Sequence, residues 1–311
     1  MVRLALGFRL ASWFQLALGA ATGILLAGCA TPELLSPPAN EHPLAGRIWD
    51  TRSGSHVTRD MLITLAAASR LVILGETHDN SVHHRLQAEV LFSMLRAGRR
   101  PALAMEQFDR EHQPAIDAAV TAGETDPERI ADAGRFERNG WRWPDYRRLV
   151  ELALEYRLPL VAANFSRSDA RALMRSGRPA PDLSAAPAAL SAQIERDIVD
   201  GHCGIRPSEG MLAGMVEAQR ARDARLATSM EEAGRSGAVL ITGNGHARRD
   251  RGAPYYLSSA SRESLLVIAF VEVAPDRFDP QAYFSAGAFD LIWFTPRAER
   301  GDPCAALRLR G

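Results

Sequence analysis

The sequence predicts an α/β fold, a mainly parallel sheet flanked by helices with a small helical cap or insertion. Three observations predict it. Short apolar runs of strand length recur along the chain, they alternate with longer segments of helical period, and several end on polar residues. Strands alternating with helices imply βαβ units. Their parallel strands are covered on both faces and so read as unbroken apolar runs.

The runs come in order at residues 71–74 (LVIL), 102–105 (ALAM), 158–162 (LPLVA), 238–241 (AVLI), 265–269 (LLVIA) and 291–294 (LIWF). Helices are expected at residues 83–97, 111–121, 144–155 and 208–233. The third has Pro144 in its first turn, where a missing backbone N–H costs nothing. Residues 176–192, rich in Ala, Pro and Ser, read as a loop or small cap outside the sheet. No repeat of solenoid period is present.

Ahead of the first run lies a different kind of segment. Arg3 and Arg9 precede a nearly continuous apolar stretch over residues 10–26, which closes on Leu26-Ala27-Gly28-Cys29. A basic start, a short apolar core and small residues at the end describe a secretory signal, and the terminal cysteine makes it a lipobox. The expected organisation is a signal peptide over residues 1–29, a Pro- and Ser-containing tether over 30–45 and one α/β domain over 46–311. The expected location is the cell envelope, on a membrane through lipid on Cys29. In a Gram-negative cell that is the periplasmic side of the outer membrane. Export leaves Cys203 and Cys304 where disulfides persist. They are an even pair, and a bridge between them is the expectation.

Composition narrows the function. Of 311 residues, 46% are hydrophobic and 24% charged, with a formal net charge of zero, which fits an ordinary globular core. There is no lysine, so every basic side chain is an arginine. A neutral chain lacks the basic surface a nucleic-acid protein needs, although arginine clusters still suit carboxylates.

Polar residues gather at strand ends: Glu76 with His78, then Glu106, Asn164, and Asn244 with His246. In a parallel sheet all C-terminal strand ends open on one edge, where ligands bind. Residues distant in sequence are therefore expected to converge. Two ends share a G-x-x-H spacing, Gly75 to His78 and Gly243 to His246, in which glycine permits a tight turn off the strand. Asp79, His83 and Gln87 follow at helical spacing on one face, while His84 is expected on the surface. In the 208–233 helix, Gln219, Arg222 and Asp223 interrupt an apolar stripe of Leu212, Met215, Leu226 and Met230. A core-facing helix carries polar groups there only if they have partners, so these are expected to face the same cleft.

GETHDN (75–80) with His83, His84 and Gln87, AMEQF (104–108), WRWPDY (141–146), VAANFSR (161–167), the His202-Cys203 pair, AQRARDARLA (218–227), GNGHARRDRGAPYYL (243–257) and WFTPRAERGDPC (293–304) together resemble the ChaN-like haem-binding lipoproteins of the haem-binding-uptake and Tiki superfamily. The resemblance covers most of the mature chain, in the family's order. It implies an α/β fold, a lipid anchor, haem binding for iron acquisition and a homodimer, and it supports the Cys203–Cys304 bridge. A tyrosine is the axial ligand it implies, with Tyr146, Tyr255 and Tyr256 as candidates. His78, His83 and His246 with Arg248 or Arg249 are then candidates for a second ligand or for the propionates. Glu106, Asn164, Arg222 and Asp223 complete the expected binding set, with no metal beyond haem iron. The same superfamily reaches hydrolases, which implies the alternative: a metal-dependent hydrolase with Glu76 or Glu106 as general base and His78 and His246 as metal ligands or proton carriers.

Replacing Cys29 with Ala should leave an uncleaved, unlipidated precursor, seen as a larger band in pulse-labelled cells; normal maturation of that variant would remove the lipobox.

Overall fold

The computed structural model describes residues 42–180, 183–233, 236–302 and 304–305, all within one compact unit. The expected signal peptide, Cys29 and most of the expected tether lie outside them. Residues 42–45, expected to belong to a tether, pack against the domain. His42 bonds the carbonyl of Arg277 at 3.1 Å, and Leu44 is already in the core. No helix among the described residues is long and apolar enough to cross a membrane.

In chain order the elements are β1 (Ile48–Asp50), β2 (Ser55–Val57), α1 (Arg59–Ala68), β3 (Leu71–Glu76), α2 (Ser81–Arg96), β4 (Ala102–Asp109), α3 (Gln113–Thr121), α4 (Pro127–Ala133), α5 (Trp143–Glu155), β5 (Leu160–Asn164), α6 (Arg167–Ser176), α7 (Ala188–Gly201), α8 (Glu209–Glu232), β6 (Ala238–Gly243), α9 (Asn244–Ala247), α10 (Ala253–Tyr256), α11 (Ser259–Glu263), β7 (Leu265–Glu272) and β8 (Leu291–Thr295). All six apolar runs form strands. β1 and β2, of three residues each, carry too short a pattern to be read ahead of the structure.

The eight strands form one sheet in the order β2-β1-β8-β7-β3-β6-β4-β5. Neighbours from β8 to β5 are parallel, and β1 runs antiparallel to β8 and β2. The fold is thus α/β with a mixed, mostly parallel sheet. Its centre is β3 and β6, buried along their whole length.

Strand side chains alternate between faces, and each face has its own core. Val72 and Leu74 of β3 join Leu103 and Met105 of β4 beneath α1, α2 and α5. Leu71 and Ile73 join Ala104 and Leu240 beneath α8. Continuing that alternation sends Glu76 to the α2–α5 face and Glu106 to the α8 face. The two carboxylates end on opposite faces of the sheet, on strands separated by β6.

The stretch read as a loop or cap is both. α6 ends at Ser176 on Gly177, whose left-handed φ of 60° closes the helix. After the Pro-containing linker comes α7, whose Leu190 and Ile194 pack on Val216 of α8 as a small separate cluster. Cys203, just beyond α7, is disulfide-bonded to Cys304 across a sequence separation of 101.

Closing a loop of that length removes roughly 4–5 kcal/mol of unfolded-chain entropy in the chain-entropy model. Unreduced, denatured protein should therefore show Cys203 and Cys304 blocked to alkylation, and reductant should lower the Tm. Two freely alkylated thiols would contradict the bridge.

Candidate functional site

The last residues of β3 and β6 lie side by side, with Gly75 opposite Thr242 and Glu76 opposite Gly243. The two G-x-x-H motifs interlock there. A Cβ on Gly75 would stand 2.5 Å from Asn244 Oδ1 and 2.9 Å from Ala247 Cβ. A Cβ on Gly243 would stand 2.8 Å from both Cε1 and Nε2 of His78. Each glycine clears the space that the other motif fills.

On the α2–α5 face Glu76 is held by hydrogen bonds through one of its oxygens. Its Oε1 accepts from Tyr146 Oη at 2.5 Å, His78 Nδ1 at 2.9 Å and Gln107 Nε2 at 3.2 Å. Its Oε2 faces His84 Nδ1 at 2.9 Å. His84 Nε2 donates to the carbonyl of His78, and Nδ1 also meets Gln87 Oε1. That amide is oriented by its own Nε2, which donates to the Leu74 carbonyl. Both nitrogens of His84 thus face only acceptors, the environment of an imidazolium. Burial opposes charge on this ring, but Glu76 outweighs it and raises the pKa. Burial likewise pushes Glu76 up, yet His84 and His78 together hold it far below its ordinary 4.5.

On the α8 face Glu106 Oε2 accepts from Thr242 Oγ1 at 2.6 Å and the Gly243 N–H at 2.9 Å. Its Oε1 receives no hydrogen bond. His246 Nε2 approaches it at 3.4 Å and Arg222 at 4.0 Å. Behind His246, Asp223 Oδ1 takes Nδ1–H at 2.6 Å, and Gln219 steadies Asp223. The result is a line from Asp223 through His246 to Glu106. Burial pushes Glu106 up, but His246, His78 and Arg222 bring it down to about 2. His246 is raised above its ordinary value, as Glu106 and Asp223 overcome its desolvation.

His78 stands between the two carboxylates at the sheet edge, edge-on to Trp141 at 4.6 Å. Burial disfavours its charge, but the bond to Glu76 and the field of Glu106 raise its pKa to about 9. It is a cation at neutral pH.

A cleft of about 660 Å³ opens here, between these strand ends, α7 and the turn after β6, with Arg248, Arg251 and Phe289 on its walls. That volume falls within the range of small-molecule sites. His78, His246 and Arg248 line it, and Asp223 reaches it beside Gln219. Glu106, with Arg222, is tied to it through His246.

Other expected site residues lie elsewhere. His83 is fully buried and structural. Its Nδ1 accepts the Thr77 N–H at 2.8 Å, its Nε2 meets Thr295, and burial lowers its pKa to about 3. Asn164 ends the edge strand β5, bonded to Asp109 at 2.9 Å. Arg249 pairs with Asp290 instead of lining the cleft. Tyr146 is fully buried with its hydroxyl on Glu76, so it is a donor inside the cluster rather than an axial ligand. Burial and that carboxylate hold its pKa far above the ordinary 10.0. Asp79 pairs with Arg300 and not with His83.

His84, expected on the surface, is 1% exposed, because the turn after β3 rotates α2 so that both histidines point inward. Gln107, Arg251 and Tyr283 were missed. Gln107 was legible as the neighbour of Glu106, displaced by the register shift in β4 between Met105 and Asp109. Nothing local marks the other two.

This is an α/β protein with a mostly parallel sheet and a histidine- and arginine-lined cleft at the C-terminal edge of its parallel strands. The chain belongs to the haem-binding uptake family of the Tiki superfamily that includes ChaN; the family model matches residues 62–257. Among solved structures it is similar to ChaN of Campylobacter jejuni, described with cofacial haem binding. The two share 19% identity over 79% of this chain and 95% of that one, with a TM-score of 0.66. A Bacillus cereus protein matches at 9% identity over 76% and 90%, TM-score 0.47. A mutant erythromycin esterase matches at 12% over 85% and 87%, TM-score 0.42. No curated protein matches the chain.

The signs of the pKa shifts set a pH dependence. The contribution of Glu106 is present above its ordinary 4.5 and lost as pH falls through about 2. That of His78 is present below 6.5 and lost as pH rises through about 9. Tm measured against pH should therefore fall on both limbs. Glu106→Gln should flatten the acid limb and His78→Gln the alkaline one; unchanged limbs would mean these groups are not coupled as described.

Proposed function

We propose that this protein binds haem at the strand-end cleft for iron acquisition, held to an envelope membrane by lipid on Cys29. The observation that carries the reading is the cleft itself. Ile194, Ile198, Val271 and Phe289 supply an apolar wall, and His78, Arg248 and Arg251 supply cationic or donor groups beside it. A large flat ligand with carboxylates at its rim needs both. Family membership points to the same ligand.

The residues fit that group. Arg248 is held by Asp250 at 2.9 Å through both Nε and an Nη, and Arg251 by Asp197 and Asp250. Both guanidiniums are therefore fixed before a ligand arrives. Protonated His78 is a donor for a propionate carboxylate. Haem supplies the iron. The protein's part is to orient the macrocycle, neutralise its carboxylates and shelter its faces. A second copy of the chain closing over the ligand fits the haem arrangement described for the Campylobacter protein.

A second reading rests on Glu106 Oε1. Glu106 Oε1 accepts no hydrogen bond and faces His246, which is oriented by Asp223, so the pair is arranged to position a water molecule. The metal-dependent form of that reading loses its ligand set. Among the described residues no three His, Cys, Asp or Glu side chains converge to hold an ion, since Glu76 occupies His78 and Asp223 occupies His246. Hydrolysis here would be metal-free.

Haemin titrated into the detergent-solubilised full chain should give a saturable Soret shift. No shift, together with ester hydrolysis abolished by Glu106→Gln, would replace haem binding with the second reading.

A further inference from the structure

One wall of the cleft is a helix that the rest of the fold holds loosely. Ile194, Asp197, Ile198 and Gly201 of α7, with His202 just after it, face the cleft. Of the 14 residues of α7, only Leu190 and Ile194 are buried. They meet Val216 of α8 in a cluster separate from both main cores. Glu195 pairs with Arg206, a near neighbour in the chain. Asp197 reaches across to Arg251, but its side chain is 46% exposed, and exposed ion pairs contribute little.

The tie at the C-terminal end of α7 is covalent. Cys203 closes the helix in the left-handed conformation, with φ of 61°. Its N–H donates to the Asp200 carbonyl at 3.0 Å, and the Gly204 N–H donates to that of Val199 at 2.9 Å. Glycine is usual in a left-handed helix cap, and a side chain there is strained. That side chain is bonded to Cys304.

Cys304 belongs to a C-terminal segment that is seated firmly on the sheet. Arg300 bonds Asp79 at 2.6 Å and Glu272 at 2.8 Å. The Ala298 N–H donates to Glu272 at 3.0 Å, and Asn80 donates to the Pro296 carbonyl at 3.0 Å. Glu272 ends β7, and Asp79 and Asn80 follow β3. The bridge therefore joins a weakly packed wall to an anchored strap, directly after two residues that line the cleft. Both cysteines are half-buried rather than enclosed, so a thiolate from solvent can attack the bridge.

We propose that Cys203–Cys304 is a redox latch on the cleft: a dithiol reductant opens it, α7 loosens from α8, and the cleft gives up its occupant. One thiolate of the reductant attacks a bridge sulfur, and its second thiol resolves the mixed disulfide. Two electrons and two protons pass to the chain. The reductant leaves as a disulfide, and Cys203 and Cys304 become thiols. The Cys203 backbone is then free to leave its left-handed conformation, so the helix cap is lost with the tether. An oxidising compartment keeps the latch shut. The loosening of α7 stands on the fold alone; release of haem rests on the haem reading above.

Hydrogen–deuterium exchange of the detergent-solubilised full chain, with and without dithiothreitol, tests the latch. After reduction, the amides of α7 should exchange roughly tenfold faster or more while those of β3 and β6 keep their protection, the pattern of a local opening. Cys304→Ser should show the fast α7 without reductant, and dithiothreitol should add nothing to it. Loaded with haemin, Cys304→Ser should pass it to excess apomyoglobin several-fold faster than wild type does. The variant serves for this step because free thiols also reduce and ligate the iron. The latch is overturned if α7 keeps its protection once alkylation shows both thiols free, or if the sheet loosens together with α7. It is overturned equally if dithiothreitol leaves the bridge of the folded chain intact. Equal haemin release from the two chains, with α7 loosened in the variant, removes control of the cleft. A wild-type chain that takes up no haemin overturns the haem reading, and the exchange result still decides the latch.

Discussion

Where β3 and β6 run off the sheet next to each other, Gly75 and Gly243 are the points at which the two turns pass within van der Waals reach. A methyl group at either would overlap the motif carried by the other strand. The absence of a side chain lets Asn244 lie against β3 and lets the His78 ring lie across β6. Without that mutual clearance the two histidine-bearing turns would be pushed apart, and the overlap of even one methyl group in a packed interior costs about 1–3 kcal/mol. The placement of His78 above both carboxylates follows from it.

The carboxylates themselves illustrate how strand alternation sorts chemistry. Glu76 and Glu106 occupy comparable positions at the ends of parallel strands, yet their parity places them on opposite faces. Glu76 therefore meets His84 and Tyr146, with three hydrogen bonds on its Oε1. Glu106 meets Thr242, the Gly243 N–H and His246, and keeps one oxygen open. Ionised groups this deeply buried are tolerated only when paired and hydrogen-bonded, and every one of these has such partners. The first carboxylate ties the strand end together beside the cleft, and the second acts on the cleft through His246.

The cleft is closed on its other side by α7, a helix that packs on α8 through few apolar residues and is clasped at its far end. The Arg251–Asp197 bridge ties it to the turn after β6, and the disulfide ties the residue after His202 to the C-terminal segment. An oxidising compartment, where such a bridge persists, and a ligand cleft walled by the bridged element are consistent with one another.

Much of the scaffold was written in the chain at short range. Strands buried on both faces must be continuously apolar, so the six runs at residues 71–74, 102–105, 158–162, 238–241, 265–269 and 291–294 could be read directly, and their parallel ends foretold a shared edge. The polar breaks at Gln219 and Asp223 on α8 were legible because a buried helix face excludes unpartnered polar groups. What the sequence could not determine depends on rotation and register. His83 and His84 are adjacent and chemically identical, and only the angle of α2 to the sheet makes one a neutral acceptor for Thr77 and the other a cation on Glu76. Tyr146 carries no local sign that its hydroxyl will be buried, because Glu76 lies seventy positions away.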